Sequence, residues 1–124
     1  MAKGDDIRER LVSFAVAAID LCEKLPKTQA ASHISRQLLR SATAAAPNYA
    51  EARGAESARD FVHKLGLALK ELNEAEVWLD IVLRKRMGDV ELAGPLRDEC
   101  QALCRILAAS VRTAGSKLSR LNEG

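Results

Sequence analysis

Residues 57–88, SARDFVHKLGLALKELNEAEVWLDIVLRKRMG, decide the fold. Ser57 with Asp60 three places on is a good helix start, Gly88 a good stop, and no proline lies between. The span predicts a helix of about thirty residues, roughly 45 Å long. With Leu65 set to zero and about 100° per residue, Phe61, Val62, Ala68, Leu69, Leu72, Ala75, Leu79, Val82 and Leu83 form one broad apolar arc. Glu76 falls close to the centre of that arc, where an unpaired carboxylate would be costly. Arg40 is the expected partner. On the opposite side Leu67, Val77, Trp78 and Ile81 stand among His63, Lys70 and Glu74. An apolar outward group of this kind, with the chain's sole tryptophan, predicts a contact between subunits rather than a solvent face.

Working outward, the same period recurs on both sides. Ile7, Leu11, Phe14, Ala18, Cys22 and Leu25 step by four and three, which predicts a first helix capped by Asp6 with Glu9 and ended by Pro26. Ile34, Leu38, Ala42, Ala45 and Tyr49 mark a second helix, with Pro47 expected to kink it and Gly54 to mark the turn after it. His33, Gln37, Arg40, Ala44, Asn48 and Glu51 form a stripe beside its core face, if the helix passes Pro47. A fourth helix is expected from near Pro95 through Leu96, Cys100, Leu103, Leu107, Ala114, Leu118 and Leu121. No strand-like alternation appears. The architecture predicted is all-α: one domain over residues 1–124, an up-down four-helix bundle with a long third helix. At 124 residues and 13.5 kDa there is core enough without disulfide or metal staples, and a folded monomer should expose about 6,500 Å².

The net charge of +2 is too mild to imply nucleic acid by itself. Its distribution says more. No acid lies between Lys24 and Ala50, a stretch holding Lys24, Lys27, Arg36 and Arg40, and from Arg105 to Arg120 every charge is positive. Arg36, Arg53, Arg84, Lys85, Arg86, Arg112 and Arg120 are the candidate phosphate contacts. With four aromatics, at least two of them core residues, a stacking platform for single strands is not expected, so any binding would read the backbone and tolerate sequence. Three cysteines, two of them four apart, suit reduced thiols of a cytoplasmic protein, and no metal or cofactor is expected. The apolar run Leu11–Leu21 is interrupted by Asp20 and too short to span a membrane. No nucleophile and base stand in a motif, and the Glu-x-x-His pairs of di-iron bundles are missing, so catalysis is not expected.

An ordered set of segments carries a resemblance. Gln37-Leu-Leu-Arg-Ser-Ala, Asn48-Tyr-Ala-Glu-Ala, Glu56-Ser-Ala-Arg-Asp-Phe-Val-His-Lys, Ala68-Leu-Lys-Glu and Glu74 to Leu79 resemble the bacterial four helix bundle protein family. That family includes proteins encoded by intervening sequences in large-subunit rRNA genes, and it is similar to the accessory variability determinant of diversity-generating retroelements. The resemblance is strongest over residues 37–83. Gln37, Arg40, Asn48, Glu51, Glu74 and Glu76 are the polar side chains it matches. Ala52 stands where many members carry glycine, and Pro47 lies one place after the proline common among them. The resemblance implies a left-handed bundle, a ring-like homopentamer without enzymatic activity, and, from the retroelement relatives, nucleic acid and a reverse transcriptase as partners. A scaffold for a protein partner alone is the alternative.

Overall fold

The computed structural model describes residues 3–123. Four helices follow in order: α1 (Lys3–Glu23), α2 (Gln29–Arg53), α3 (Ala58–Lys85) and α4 (Val90–Glu123). Short links make each antiparallel to the last. α2 packs against α1 and α3, α3 against α4, and α4 more thinly against α1, while α1 and α3 occupy opposite corners. No strand occurs among the described residues. No helix of the described residues is long and apolar enough to cross a membrane.

The predicted stripes form the core. Leu11, Phe14, Leu21, Leu38, Leu65, Leu72, Leu79, Leu103 and Leu107 are buried, and Ala42, Ala45, Ala68 and Ala75 are wholly so. These alanines carry the close approach of neighbouring helices, because a methyl side chain keeps little space between backbones. Ser41, the buried polar residue of this seam, donates its hydroxyl to the Gln37 carbonyl at 3.0 Å, so its burial leaves no polar atom unsatisfied.

α2 continues through Pro47 to Arg53 without interruption. Pro47 is exposed, and beside it the Asn48 amide donates to the Ala44 carbonyl at 3.0 Å. Thr28 and Ser57 cap α2 and α3, accepting from the backbone N–H of Ala31 and Asp60.

Three boundaries differ from expectation. α1 starts at Lys3, so Asp6 is not a cap; it lies with Asp5 in the first turn, where carboxylates favour the positive end of the helix dipole. α4 starts at Val90 rather than near Pro95. The Asp89 carboxylate accepts from the Glu91 N–H at 2.9 Å and the Asp89 carbonyl from the Ala93 N–H at 3.0 Å, so a better cap comes first and Pro95 is carried inside the helix. α3 ends at Lys85, three residues before the expected glycine. Arg86 takes the left-handed turn instead, at φ 54°, with the Met87 N–H reaching back to the Val82 carbonyl at 3.0 Å. Gly88 follows at φ 65° and lies against Leu25, where a β-carbon would sit 3.2 Å from the leucine side chain.

The third helix is long, but at 34 residues α4 is longer. Gly88 lies against Lys24 and Leu25, so the turn into α4 is level with the end of α1, and the last turns of α4 run past the start of the 21-residue α1. The chain exposes 7269 Å², roughly 700 Å² more than a compact monomer of its mass.

Candidate nucleic-acid interface

The charged side chains fall into two groups: those consumed at helix seams and those left at the ends. Between α2 and α3, Arg40 pairs with Glu71 at 3.0 Å and with Glu74, and Glu74 also accepts from the Trp78 indole N–H at 3.1 Å. Those hydrogen bonds, from Arg40 first and Trp78 second, hold the Glu74 carboxyl below its ordinary pKa. Trp78 meets His33 edge to face at 6.0 Å, and Lys64 pairs with Glu51 at 3.4 Å. The polar stripe of α2 therefore lies along α3, with Gln37, Asn48 and Glu74 half-buried and Arg40 and Glu51 exposed.

The expected pairing of Arg40 with Glu76 does not form. Glu76 points to the other side of α3, where it accepts from the Gln101 amide of α4 at 3.2 Å, and Asp80 accepts from Arg97 at 2.8 Å. Arg10 joins Glu99 at 2.7 Å across α1 and α4. Arg53 joins Asp5 at 2.6 Å across α1 and α2, its guanidinium lying over Gly4, where a β-carbon would come within 2.5 Å of Nε. That hydrogen bond raises the Arg53 pKa further. Arg53 is thus engaged within the bundle.

The remaining predicted cations separate by end. Arg36 near the start of α2 and Arg84, Lys85 and Arg86 at the end of α3 share one end with Lys24 and Lys27 of the α1–α2 link. All six are exposed, and none makes an ion pair among the described residues. Arg112 and Arg120 lie on the far half of α4, likewise exposed and without an ion pair among the described residues. Lys24 and Lys27 were not among the named candidates; their place in an acid-free run was the signal for them.

The predicted apolar face divides. Val77 is 56% and Ile81 37% exposed on the outside of α3, whereas Leu67 is half-buried and Trp78 is packed over the α2–α3 seam. None of the four aromatics is fully exposed: Phe14 and Tyr49 are buried, Phe61 and Trp78 half-buried. Among the described residues no group of histidine, cysteine or carboxylate side chains is placed to hold a metal ion.

The sequence model of the 23S rRNA-intervening sequence proteins matches residues 5–109. The chain belongs to that family. A crystal structure of a protein of unknown function from the S23 ribosomal protein family of Bacteroides thetaiotaomicron is 31% identical, with a TM-score of 0.80 over 90% of this chain and 99% of that one. No curated protein matches the chain. In this intervening-sequence family member the matched region holds all four seams described above, and it stops before the last turns of α4.

Proposed function

We propose that this intervening-sequence protein is a non-catalytic, cytoplasmic homo-oligomer that binds the phosphate backbone of nucleic acid through the basic end formed by Arg36, Arg84, Lys85 and Arg86 with Lys24 and Lys27. The observation that carries this reading is the αL conformation of Arg86. A non-glycine residue there costs about 1–2 kcal/mol, and glycine would relieve it. An arginine at that strained position, beside Arg84 and Lys85, which make no ion pair among the described residues, supports a role for its charge. With Phe14 and Tyr49 buried and Trp78 packed over the α2–α3 seam, contact with phosphates is favoured over base stacking.

Assembly is supported by exposed apolar residues at two separate places. Val77 and Ile81 face outward on α3, and Val16, Ile19 and Leu39 are exposed on α1 and α2. A closed ring needs two different complementary surfaces on each subunit. Five subunits, the number the resemblance implies, would repeat each basic end and carry about +10 together.

RNA and DNA of unrelated sequences, titrated by fluorescence anisotropy, test the reading. Affinity should fall steeply from about 50 to about 200 mM salt and vary little with sequence. Arg84→Ala with Lys85→Ala and Arg86→Ala should weaken binding uniformly. Arg86→Gly should weaken it while raising the stability of the fold by about 1 kcal/mol. Absence of binding at about 50 mM salt would leave a scaffold for a protein partner as the function.

A further inference from the structure

The core stripe of α4 does not end where the bundle ends. Leu107 is wholly buried, Val111 is half-buried, and Ala114, Leu118 and Leu121 continue in steps of four and three until Leu121 is 72% exposed. Of these, Ala114, Leu118 and Leu121 line, together with Ile106, Ile7 of α1 and Phe61 of α3, an open apolar groove of about 820 Å³. Among the described residues, α1 reaches it only through its first turns, at Ile7. A seam repeating at four and three is complementary to another helix laid along it, not to a compact ligand.

Charge narrows the occupant further. Between Gln101 and Asn122 the chain has no acidic residue and four cations, Arg105, Arg112, Lys117 and Arg120, none of them in an ion pair among the described residues. Lys117 lines the groove itself. The surfaces offered for self-assembly, Val77 and Ile81 on α3 and Val16, Ile19 and Leu39 on α1 and α2, all lie inside the family-matched residues 5–109. Most of the α4 wall of the groove lies beyond them.

We infer that this groove docks an amphipathic helix of a different protein, apolar at steps of four and three and acidic along its flanks. The docked helix lies along the last turns of α4, its apolar stripe on Leu118 and Phe61 and its carboxylates beside Lys117, which lines the groove, and Arg120, one turn further along. This surface is distinct from the basic end proposed for nucleic acid.

The test titrates the full chain with a labelled synthetic peptide of about twenty residues, roughly 30 Å as a helix, with leucines at steps of four and three and glutamates on the flanks. A matched peptide carries lysines on the flanks. The acidic peptide should bind saturably at physiological salt and the basic one should not. Leu118→Glu should weaken binding roughly ten- to a hundredfold. Lys117→Glu with Arg120→Glu should weaken the acidic peptide roughly tenfold and admit the basic one. Circular dichroism should show the helix content of both variants unchanged. The Arg84, Lys85 and Arg86 alanine variant should bind the peptide as the parent does, whatever its affinity for nucleic acid. Equal binding of both peptides, binding of neither, or loss in that alanine variant would overturn the inference. A fall in the mass of the protein alone on Leu118→Glu would also overturn it, by showing that another copy fills the groove.

Discussion

Glu74 accepts from a guanidinium of α2 and an indole of its own helix, so its ionised form is favoured in the fold and its pKa is depressed. A group of this sign adds stability above its unfolded pKa, about 4.3, and loses it as the pH falls through its lower folded value. Urea denaturation of the parent should therefore show stability declining below about pH 5, and Glu74→Gln should flatten that decline. An unchanged pH slope in the variant would show that other carboxylates carry it. The cysteines make a second prediction at this scale. The Cys100 thiol is pushed far above its usual range by its hydrogen bond with Cys104 and by burial, and burial also raises Cys22. The thiolate is the reactive form, so iodoacetamide at about pH 8 should leave Cys100 unmodified in the native protein while unfolding exposes all three. Peptide mapping by mass spectrometry checks it.

Pro47 is the test at the scale of the element. It lies inside an unbroken α2, exposed, and it removes a backbone donor from the helix. Interior proline costs about 3 kcal/mol relative to alanine in an unsupported helix, so Pro47→Ala should raise stability by about 1–3 kcal/mol, read as a shift of the urea midpoint at constant slope. A destabilised variant would mean that neighbouring helices depend on the bend a proline imposes. Ala52, buried in the same helix, fits this account: the chain stays helical to Arg53, with no need of a flexible residue before Gly54.

At the scale of the whole molecule the prediction concerns assembly. Light scattering should report about five times the protomer mass of 13.5 kDa. Val77→Glu should lower that mass with helicity kept, because Val77 is exposed and outside the core. Trp78→Glu is the poorer probe, since it also removes the indole from Glu74 and His33 and so disturbs the α2–α3 seam. A parent protein that runs as a monomer would remove the case for a ring.

How far the chain could be read follows from which forces act locally. Helical periodicity, caps and the apolar arcs are properties of adjacent residues, so the four helices and the core leucines were legible in the sequence itself, whereas the unbroken path of α2 through Pro47 was not. Competing local signals blurred the ends: Asp89 outranked Pro95 as a start, and Arg86 took the left-handed turn ahead of Gly88. A helical wheel shows the bearing of Glu76 on α3 but not which helix stands there. That choice belongs to packing: α4 lies on that side, so Glu76 meets Gln101 and Arg40 is left to Glu71 and Glu74. The same holds for the cations. The sequence by itself determined that acid-free runs exist, whereas only the tertiary structure decided that Arg53 is consumed by Asp5 and that Arg36 shares an end with Arg84, Lys85 and Arg86. Helix lengths and their relative offsets, set by the packing of four cylinders together, likewise decided that Ile7 and Phe61 share an open groove with Leu118 and Leu121.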